Sequence, residues 1–217
     1  MMCPYITYMD IINTPHIQHI TQILLNIGER VEGNLLCDIH PRNWVYEQNK
    51  HKIRNVQNLS KGKRKIMEIG VNACHSLIIM LLENPTADYL LFDLNYHRYT
   101  DPIINYVKGA FPETNIKIVY GNSVDTISKY ILDNPDEINT YDLIHLDGGH
   151  TEDIFSYDYD NSKRLLKPDG VVIFDDYDYG EIKRFIDKKV SENEIIEYEN
   201  TNLTKTASQF IYKYRTR

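Results

Sequence analysis

The chain has 217 residues, of which 42% are hydrophobic, and this is typical of one globular domain with at most a small addition. Its formal net charge of −7 argues against nucleic acid as the main partner, because phosphate-binding surfaces are usually basic. The cysteines Cys3, Cys37 and Cys74 are odd in number and lack metal-ligand spacing, which fits a reducing compartment. The N-terminal segment lacks the pattern of a signal peptide, and no apolar run could span a bilayer. We therefore expect a cytoplasmic protein without a membrane partner.

The first 60 residues differ in pattern from the rest of the chain. Residues 11–27 have helical apolar spacing, residues 33–44 are irregular, and residues 46–59 are polar and read as a second helix. We interpret residues 1–60 as an N-terminal helical extension or cap, and residues 61–217 as the main domain. Trp44 and Tyr46 of the extension, together with residues 157–159 of the main domain, are aromatic candidates to cover an acceptor site. The alternative is that they pack in the core.

From residue 65 onward, short apolar runs alternate with helical patterns. Strands are predicted at residues 65–70, 89–94, 116–121, 141–147, 171–175, 195–198 and 209–214. Helices are predicted at residues 74–83, 101–111, 124–133, 152–166 and 182–190, with a turn at residues 167–170. Continuous apolar strands are typical of a buried parallel sheet. The pattern predicts an α/β, Rossmann-like, doubly wound fold: a mostly parallel seven-stranded sheet whose last strand is antiparallel.

The first strand ends at Gly70, directly before a predicted helix. Glycine allows a ligand to approach the backbone, and the free N–H groups of a helix start suit an anion such as a carboxylate or a phosphate. The segment lacks the lysine of a P-loop and has one glycine only, so an ordinary strand-to-helix turn is the alternative.

Two further strand ends carry candidate cofactor ligands. Asp93 follows Gly70 by about 20 residues, the spacing at which an acid accepts the hydroxyls of a ribose. Asn122, after the third strand, either hydrogen-bonds an adenine edge or caps the next helix. The alternative for Asp93 is likewise a capping role.

The fourth and fifth strands end in a group of acids. Asp147 ends the fourth, and Asp175 and Asp176 end the fifth. Clustered carboxylates repel one another unless a cation or a proton lies between them, and oxygen ligands suit Mg²⁺. His150, three residues after Asp147, is a candidate base for a substrate hydroxyl. The alternative is that the acids cap helices and His150 is a surface residue.

Taken in order, these motifs resemble the class I S-adenosylmethionine-dependent methyltransferases. The resemblance rests on Glu-Ile-Gly at 68–70, Ser76, Phe-Asp-Leu at 92–94, Gly-Asn-Ser at 121–123, Ile-His-Leu-Asp-Gly-Gly-His at 144–150 and Phe-Asp-Asp-Tyr at 174–177. It is greatest to the metal-dependent O-methyltransferases of catechols, of caffeoyl-coenzyme A and of macrolide and aminocoumarin sugars. The histidine in Asp-x-x-His favours the sugar enzymes, because catechol-type enzymes tend to have lysine there.

The resemblance implies a role for each matching residue. The cofactor S-adenosylmethionine would be bound by Glu68, Gly70, Asn72, Ser76, Asp93, Asn122, Ser123 and Asp147. Asp147, Asp175 and Asp176 would bind Mg²⁺ or another divalent cation, and His150 and Asp147 would be catalytic. The acceptor would be a hydroxyl of a small polyol, a sugar first, and the chain would pair into a homodimer.

Two departures and three alternatives stay open. Cys74 stands where the family usually has a second glycine, and Asn122 stands where it usually has an acid. A metal-independent methyltransferase, or one acting on a catechol-type phenol, is the first alternative. The second is an NAD(P)-binding oxidoreductase, against which the single-glycine loop argues. The third is a non-catalytic module that binds S-adenosylmethionine.

Overall fold

The computed structural model of the protein describes residues 11–32 and 35–215. Cys3 and the first residue of the predicted irregular segment, Gly33, lie outside them. Cys37 and Cys74 are buried free thiols. Among the described residues, none of the helices combines the length and apolarity that a membrane crossing requires.

Among the described residues, the elements from residue 65 onward follow one another as a β/α alternation, and helices precede them. The helices are α1 (Pro15–Ile27), α2 (Tyr46–Ser60), α3 (His75–Glu83), α4 (Thr100–Ala110), α5 (Ser123–Asp133), α6 (Glu152–Leu165) and α7 (Gly180–Ser191). The strands are β1 (Lys65–Ile69), β2 (Asp88–Asp93), β3 (Ile116–Tyr120), β4 (Tyr141–Leu146), β5 (Leu166–Phe174), β6 (Ile195–Glu197) and β7 (Phe210–Tyr214).

All seven strands lie in one sheet, in the order β3-β2-β1-β4-β5-β7-β6. β1 to β5 are parallel, and β7 pairs antiparallel with both β5 and β6. This confirms the predicted doubly wound sheet with an antiparallel last strand. The strand order reverses at β1 and β4, so a crevice forms outside their carboxyl ends, the usual ligand site of open α/β sheets.

Alternate side chains of the central strands pack into two separate hydrophobic cores, one on each face of the sheet. On one face, Ile66 and Leu143 pack with the buried residues of α1 to α4. On the other face, Met67 and Ile144 pack with α5, α6 and α7. Helices on both faces explain why the strands are apolar at every position, since neither side of the sheet meets water.

The N-terminal helices belong to the first of these cores. α1 begins at Pro15, where the Thr14 side chain accepts a hydrogen bond from the Ile17 N–H at 3.2 Å, a normal helix cap. It buries Ile17, Ile20 and Leu24 among the residues of α3 and α4, while α2 packs along α3. The division of the chain at residue 60 stays a prediction, although these helices share their core with the sheet.

Two boundaries differ from the predicted ones by more than two residues. α1 begins at Pro15 rather than at residue 11, because Thr14 caps the helix there, and β5 begins at Leu166 rather than at residue 171.

β5 begins at Leu166, which pairs with Tyr141, and the next pair joins Leu143 to Val171. The predicted turn at residues 167–170 is therefore a bulge inside the strand. The strand begins early because Leu166, 2% exposed, pairs with β4 directly after the last residue of α6.

Candidate active site

Two cavities open at the carboxyl ends of the strands. The first, of about 350 Å³, is bordered by the ends of β1 to β4 and the segments after them. It is lined by Ile69, Gly70, Asn72, Phe92, Asp93, Leu94, Tyr96, His97, Gly121, Asn122, Ser123, Asp147, Gly148, Gly149 and Ile154. The second, of about 290 Å³, lies between the N-terminal segment and the ends of β4 and β5. It is lined by Leu35, Asp38, Val45, Gln48, Asn49, Lys52, Asp147, Asp175 and Asp176.

Gly70 is required by a close approach of two backbones. Its φ is 83°, and a Cβ at this position would lie 1.9 Å from the carbonyl oxygen of Asp147. Its N–H donates to Phe92 O at 2.9 Å, and the Asp147 N–H donates to Ile69 O at 2.9 Å. The loop after β1 is thereby held between the ends of β2 and β4, and it forms one wall of the first cavity.

The rest of this loop adopts left-handed backbone conformations without a second glycine. Asn72 has φ 49° and Cys74 has φ 60°. The Asn72 side chain donates to Glu32 O at 2.8 Å and accepts from the Tyr99 hydroxyl at 2.5 Å, which holds it in place. Cys74 is fully buried and is the N-cap of α3, so the departure from the family pattern leaves the turn in place at the cost of a strained residue.

Asp93 organises the first cavity. Its Oδ2 accepts hydrogen bonds from the N–H groups of Val71 and Asn72 at 2.8 and 2.9 Å, and its Oδ1 accepts from Asn95 N–H at 2.7 Å. The carboxylate ties the loop after β1 to the end of β2. Oδ2 uses both of its lone pairs in these bonds, whereas Oδ1 has one left, so Asp93 can still accept a hydroxyl hydrogen from a ligand in the cavity through Oδ1.

Asn122 and Ser123 lie at the start of α5 on the border of the same cavity. Asn122 is the N-cap of α5, since its Oδ1 accepts from Val124 N–H at 3.1 Å. The capping role and a place in the cavity thus coexist, because the amide nitrogen of Asn122 stays available as a donor.

Glu68 and Ser76, two of the predicted cofactor ligands, line neither cavity. Both are buried beneath the loop after β1, where the Ser76 hydroxyl donates to Glu68 Oε1. Glu68 also hydrogen-bonds Nδ1 of His145 at 2.9 Å, because the two residues are paired in the β1–β4 register. Their hydrogen bonds join β1, β4 and α3 next to the strand ends.

His145 is a functional candidate that the sequence interpretation missed. Its Nε2 lies 3.6 Å from Oδ2 of Asp175. Burial would lower the pKa of this imidazole, but Asp175 and Glu68 on either side raise it to about 10. The available signal was a polar residue inside an apolar strand and two positions before Asp147, which places both side chains on the same face of β4.

Lys52 is the second residue that the sequence did not reveal. Its ammonium forms an ion pair with Oδ1 of Asp175, and the two side chains are 13% and 3% exposed. Burial disfavours the charged amine, but Asp175, Asp176 and Asp147 outweigh it and hold the pKa of Lys52 above its ordinary value. No local pattern in the sequence of α2 predicts this contact, because it joins residues that are 123 positions apart.

The two central carboxylates differ in their surroundings. Burial and the nearby charge of Asp175 raise the pKa of Asp147. Burial would also raise the pKa of Asp175, but His145 and Lys52 lower it to about 2. Asp175 is therefore a paired anion, and Asp147, which borders both cavities, is the more basic of the two carboxylates.

His150, the predicted base, lines neither cavity. Its Nε2 lies 2.8 Å from Oδ2 of Asp176, and its ring packs against Tyr179 with centroids 4.5 Å apart. The hydrogen bond that the imidazole donates to Asp176 raises the pKa of His150. The structure therefore pairs His150 with Asp176 and does not place it beside a ligand in either cavity.

The predicted metal set is brought together only in part. Among the described residues, potential ligand atoms of His145, Asp147 and Asp175 lie within 4.8 Å of one another. Asp176 is outside this group, and its carboxylate pairs with His150 instead. Lys52 already donates to Asp175, so the side chains as they stand fit an ammonium rather than a divalent ion.

The predicted aromatic cover of the acceptor site is absent at residues 157–159. These residues lie inside α6, where Tyr159 is fully buried against Phe174 and Phe185 in the second core and Tyr157 is exposed. Trp44 and Tyr46 pack against the first core and line neither cavity. Helical spacing sends residues 157 and 159 to different sides, so they cannot form one surface.

Asp158 supports the floor of the first cavity from α6. Its carboxylate lies close to Gly148 and hydrogen-bonds Ser123. Burial raises its pKa to about 6, although Ser123 lowers it. The unfolded chain releases this proton near pH 4, before the native state does, so the raised pKa makes stability fall as the pH rises from about 4 to about 6.

We expect Asp158→Asn to gain stability relative to the wild type over that interval, by up to about 3 kcal/mol, because the amide cannot ionise. Urea unfolding of both proteins at pH 4.5 and pH 7.5 measures the difference. Asp160→Asn, an exposed position on the same helix, is the control and is expected to show no such trend. A constant difference between Asp158→Asn and the wild type at both pH values would contradict the raised pKa.

Comparison with known families identifies what this arrangement resembles. The family described as "Methyltransferase domain" matches residues 67–177, just over half of the chain. The match runs from β1 to the end of β5 and so includes the acids at both strand ends.

Solved structures with the same fold cover almost the whole chain. An O-methyltransferase from Bacillus cereus, in complex with SAH, superposes with a TM-score of 0.66 at 16% identity, over 96% of each chain. The O-methyltransferase TomG from Streptomyces achromogenes, in complex with SAM, gives 0.64 at 15% identity, over 94% of this chain and 91% of the other. CalS11, a TDP-rhamnose 3′-O-methyltransferase of calicheamicin biosynthesis, gives 0.63 at 15%, over 93% and 95%. At these identities the likeness shows the fold.

Proposed function

Because this chain belongs to the methyltransferase domain family, as a class I S-adenosylmethionine-dependent enzyme, we propose that it methylates a hydroxyl of a small polar molecule. The observation that carries the proposal is the position of Asp147. This carboxylate borders both cavities, so it lies where a methyl donor in the first would meet an acceptor in the second. The predicted site residues at the strand ends would thus all serve this methyl transfer.

The first cavity would hold S-adenosylmethionine. Asp93 would accept a ribose hydroxyl through Oδ1, and the loop after Gly70 would face the methionine end of the cofactor. Asn122 and Ser123, at the far border, would contact the adenine. Glu68 and Ser76 would act on this site through the strand ends that they support, without touching the cofactor.

In the reaction, the acceptor oxygen attacks the methyl carbon of the sulfonium. A carbon–oxygen bond forms, the carbon–sulfur bond breaks, and S-adenosylhomocysteine leaves as the neutral thioether. The hydroxyl proton must leave as well, and we assign it to the Asp147 carboxylate, which borders the acceptor cavity while His150 does not. Binding in the two adjoining cavities would hold the two reactants in line.

The lining of the second cavity favours a polar acceptor. Gln48 and Asn49 offer amide groups, Lys52 offers a cation, and the acids offer acceptors. Each hydroxyl of a polyol could therefore form a hydrogen bond with the cavity wall. The apolar part of the wall is Leu35 and Val45. A sugar or glycosyl group fits this lining better than a catechol, whose ring needs an apolar or aromatic surface. The predicted homodimer stays a separate prediction.

A divalent-metal-dependent form of the same reaction is the second candidate. The convergence of His145, Asp147 and Asp175 within 4.8 Å favours it. A metal bound there would supply a Lewis acid for the acceptor hydroxyl. The ammonium of Lys52 argues against it, because it already pairs with Asp175, one of the three candidate ligands.

Ligand-induced stabilisation and methyl transfer test the proposal together. At about 100 times its dissociation constant, S-adenosylhomocysteine is expected to raise Tm by about 5–10 °C, and NAD to leave it unchanged. Radiolabelled S-adenosylmethionine is expected to label TDP-rhamnose in preference to catechol. Stabilisation by NAD alone would refute the cofactor assignment, and transfer confined to catechol would refute the acceptor assignment. Binding of S-adenosylhomocysteine without transfer to either would favour the non-catalytic module.

A further inference from the structure

A lysine from the N-terminal segment enters the acid group at the ends of β4 and β5. Lys52 of α2 donates to Asp175 and lines the second cavity beside Asp147 and Asp176. The contact is shielded from water, because the Lys52 side chain is 13% exposed and that of Asp175 is 3% exposed. It is thus a built ion pair within the site rather than a surface contact.

The charges around this lysine account for its position. Four carboxylates line this cavity, and three of them, Asp147, Asp175 and Asp176, act on Lys52. Such a group is stable only with positive charge or a proton among its members. Lys52 supplies a charge that is fixed to the chain, and His145 approaches Asp175 from the other side at 3.6 Å. The sequence suggested a divalent ion for this task, but it could not show that a side chain 95 positions before Asp147 would reach the same point.

We propose that the Lys52 ammonium is the resident cation of this site, and that it replaces a divalent metal. It balances Asp147 and Asp175 and donates a hydrogen bond to an acceptor hydroxyl in the second cavity. An incoming ion would have to displace the ammonium from Asp175 and leave it buried without a partner, which is strongly unfavourable. The role toward the acceptor rests on the proposed function, whereas the occupation of the acid group does not.

Manganese binding tests this without any acceptor. Mn²⁺ is titrated into the full chain and free Mn²⁺ is followed by electron paramagnetic resonance, for the wild type, Lys52→Met and Lys50→Met. Lys50 lies on the same helix but pairs with the exposed Glu47, so it is the matched control. We expect the wild type and Lys50→Met to lack a specific site, and Lys52→Met to bind one Mn²⁺ at least about tenfold more tightly.

Two further variants keep the result interpretable. Lys52→Gln removes the charge but can still donate to Asp175, so it replaces Lys52→Met if that variant does not fold. Adding Asp175→Asn to either variant is expected to remove the new site. Equal Mn²⁺ binding by wild type and the Lys52 variants would overturn the proposal, and so would the absence of a new site in both variants.

Methyl transfer gives a second readout. We expect wild-type turnover to persist in EDTA, and Lys52→Gln to lose at least about tenfold in turnover while its affinity for S-adenosylhomocysteine stays within about threefold. Wild-type turnover abolished by EDTA and restored by Mg²⁺ would overturn the proposal. If no acceptor is methylated by any form, the proposed function fails, but the Mn²⁺ titration still decides the place of Lys52.

Discussion

Alanine at position 70 is expected to abolish the binding of S-adenosylhomocysteine and to lower Tm by about 10 °C or more. The added Cβ would lie 1.9 Å from the Asp147 carbonyl oxygen. Gly70 and Asp147 directly follow β1 and β4, whose last residues are paired in the sheet, so neither backbone can easily move away. The φ of 83° adds strain for any residue with a side chain. Relief requires β1 and β4 to separate at their ends, a cost of about 3–5 kcal/mol, which corresponds to such a shift in a chain of this size.

Gly109 provides the matched control for this substitution. It lies exposed near the end of α4, where an added Cβ would meet no other atom within 4 Å, and its helical backbone suits alanine. Gly109→Ala is expected to leave binding unchanged and to alter stability by no more than about 1 kcal/mol, in the stabilising direction. Thermal unfolding and titration with S-adenosylhomocysteine measure both variants. An unchanged Tm for Gly70→Ala would mean that the loop is free to move away from Asp147.

Asp147→Asn is expected to lower turnover at least about 100-fold, with the affinity for S-adenosylhomocysteine within about threefold of the wild type. Asparagine keeps the size of the side chain but can no longer take the hydroxyl proton at the junction of the two cavities. The loss therefore falls on turnover rather than on cofactor binding.

The control for Asp147→Asn is Asp160→Asn, which removes an exposed carboxylate on α6, away from both cavities. Single-turnover kinetics with TDP-rhamnose and calorimetric titration with S-adenosylhomocysteine separate the chemical step from binding. His150→Ala serves as the competing variant, because a loss confined to it would assign the proton to His150. Full turnover by Asp147→Asn would refute the role given to this carboxylate.

The preference for Asp147 over His150 follows from contacts that no sequence motif contains. His150 is three residues from Asp147, and its spacing made it a natural base. In the folded chain its imidazole turns to Asp176 and Tyr179 on the outer side of the strand ends. Lys52 and His145 instead flank Asp175, and the free carboxylate between the cavities is Asp147.

The sequence by itself determined the sheet and the line of candidate residues along its edge. Apolar runs alternating with helical patterns are read from local periodicity, and parallel strands bring Gly70, Asp93, Asp147 and Asp175 to one edge whatever the details of packing. The tertiary structure alone decided which charges meet there. The partner of Asp175 comes from α2 and the partner of Glu68 comes from β4, and such contacts depend on how the helices pack on the sheet. The acids alone indicate that a cation must lie beside them. Packing depends on the shapes of many side chains at once, so only the folded chain identifies that cation as Lys52.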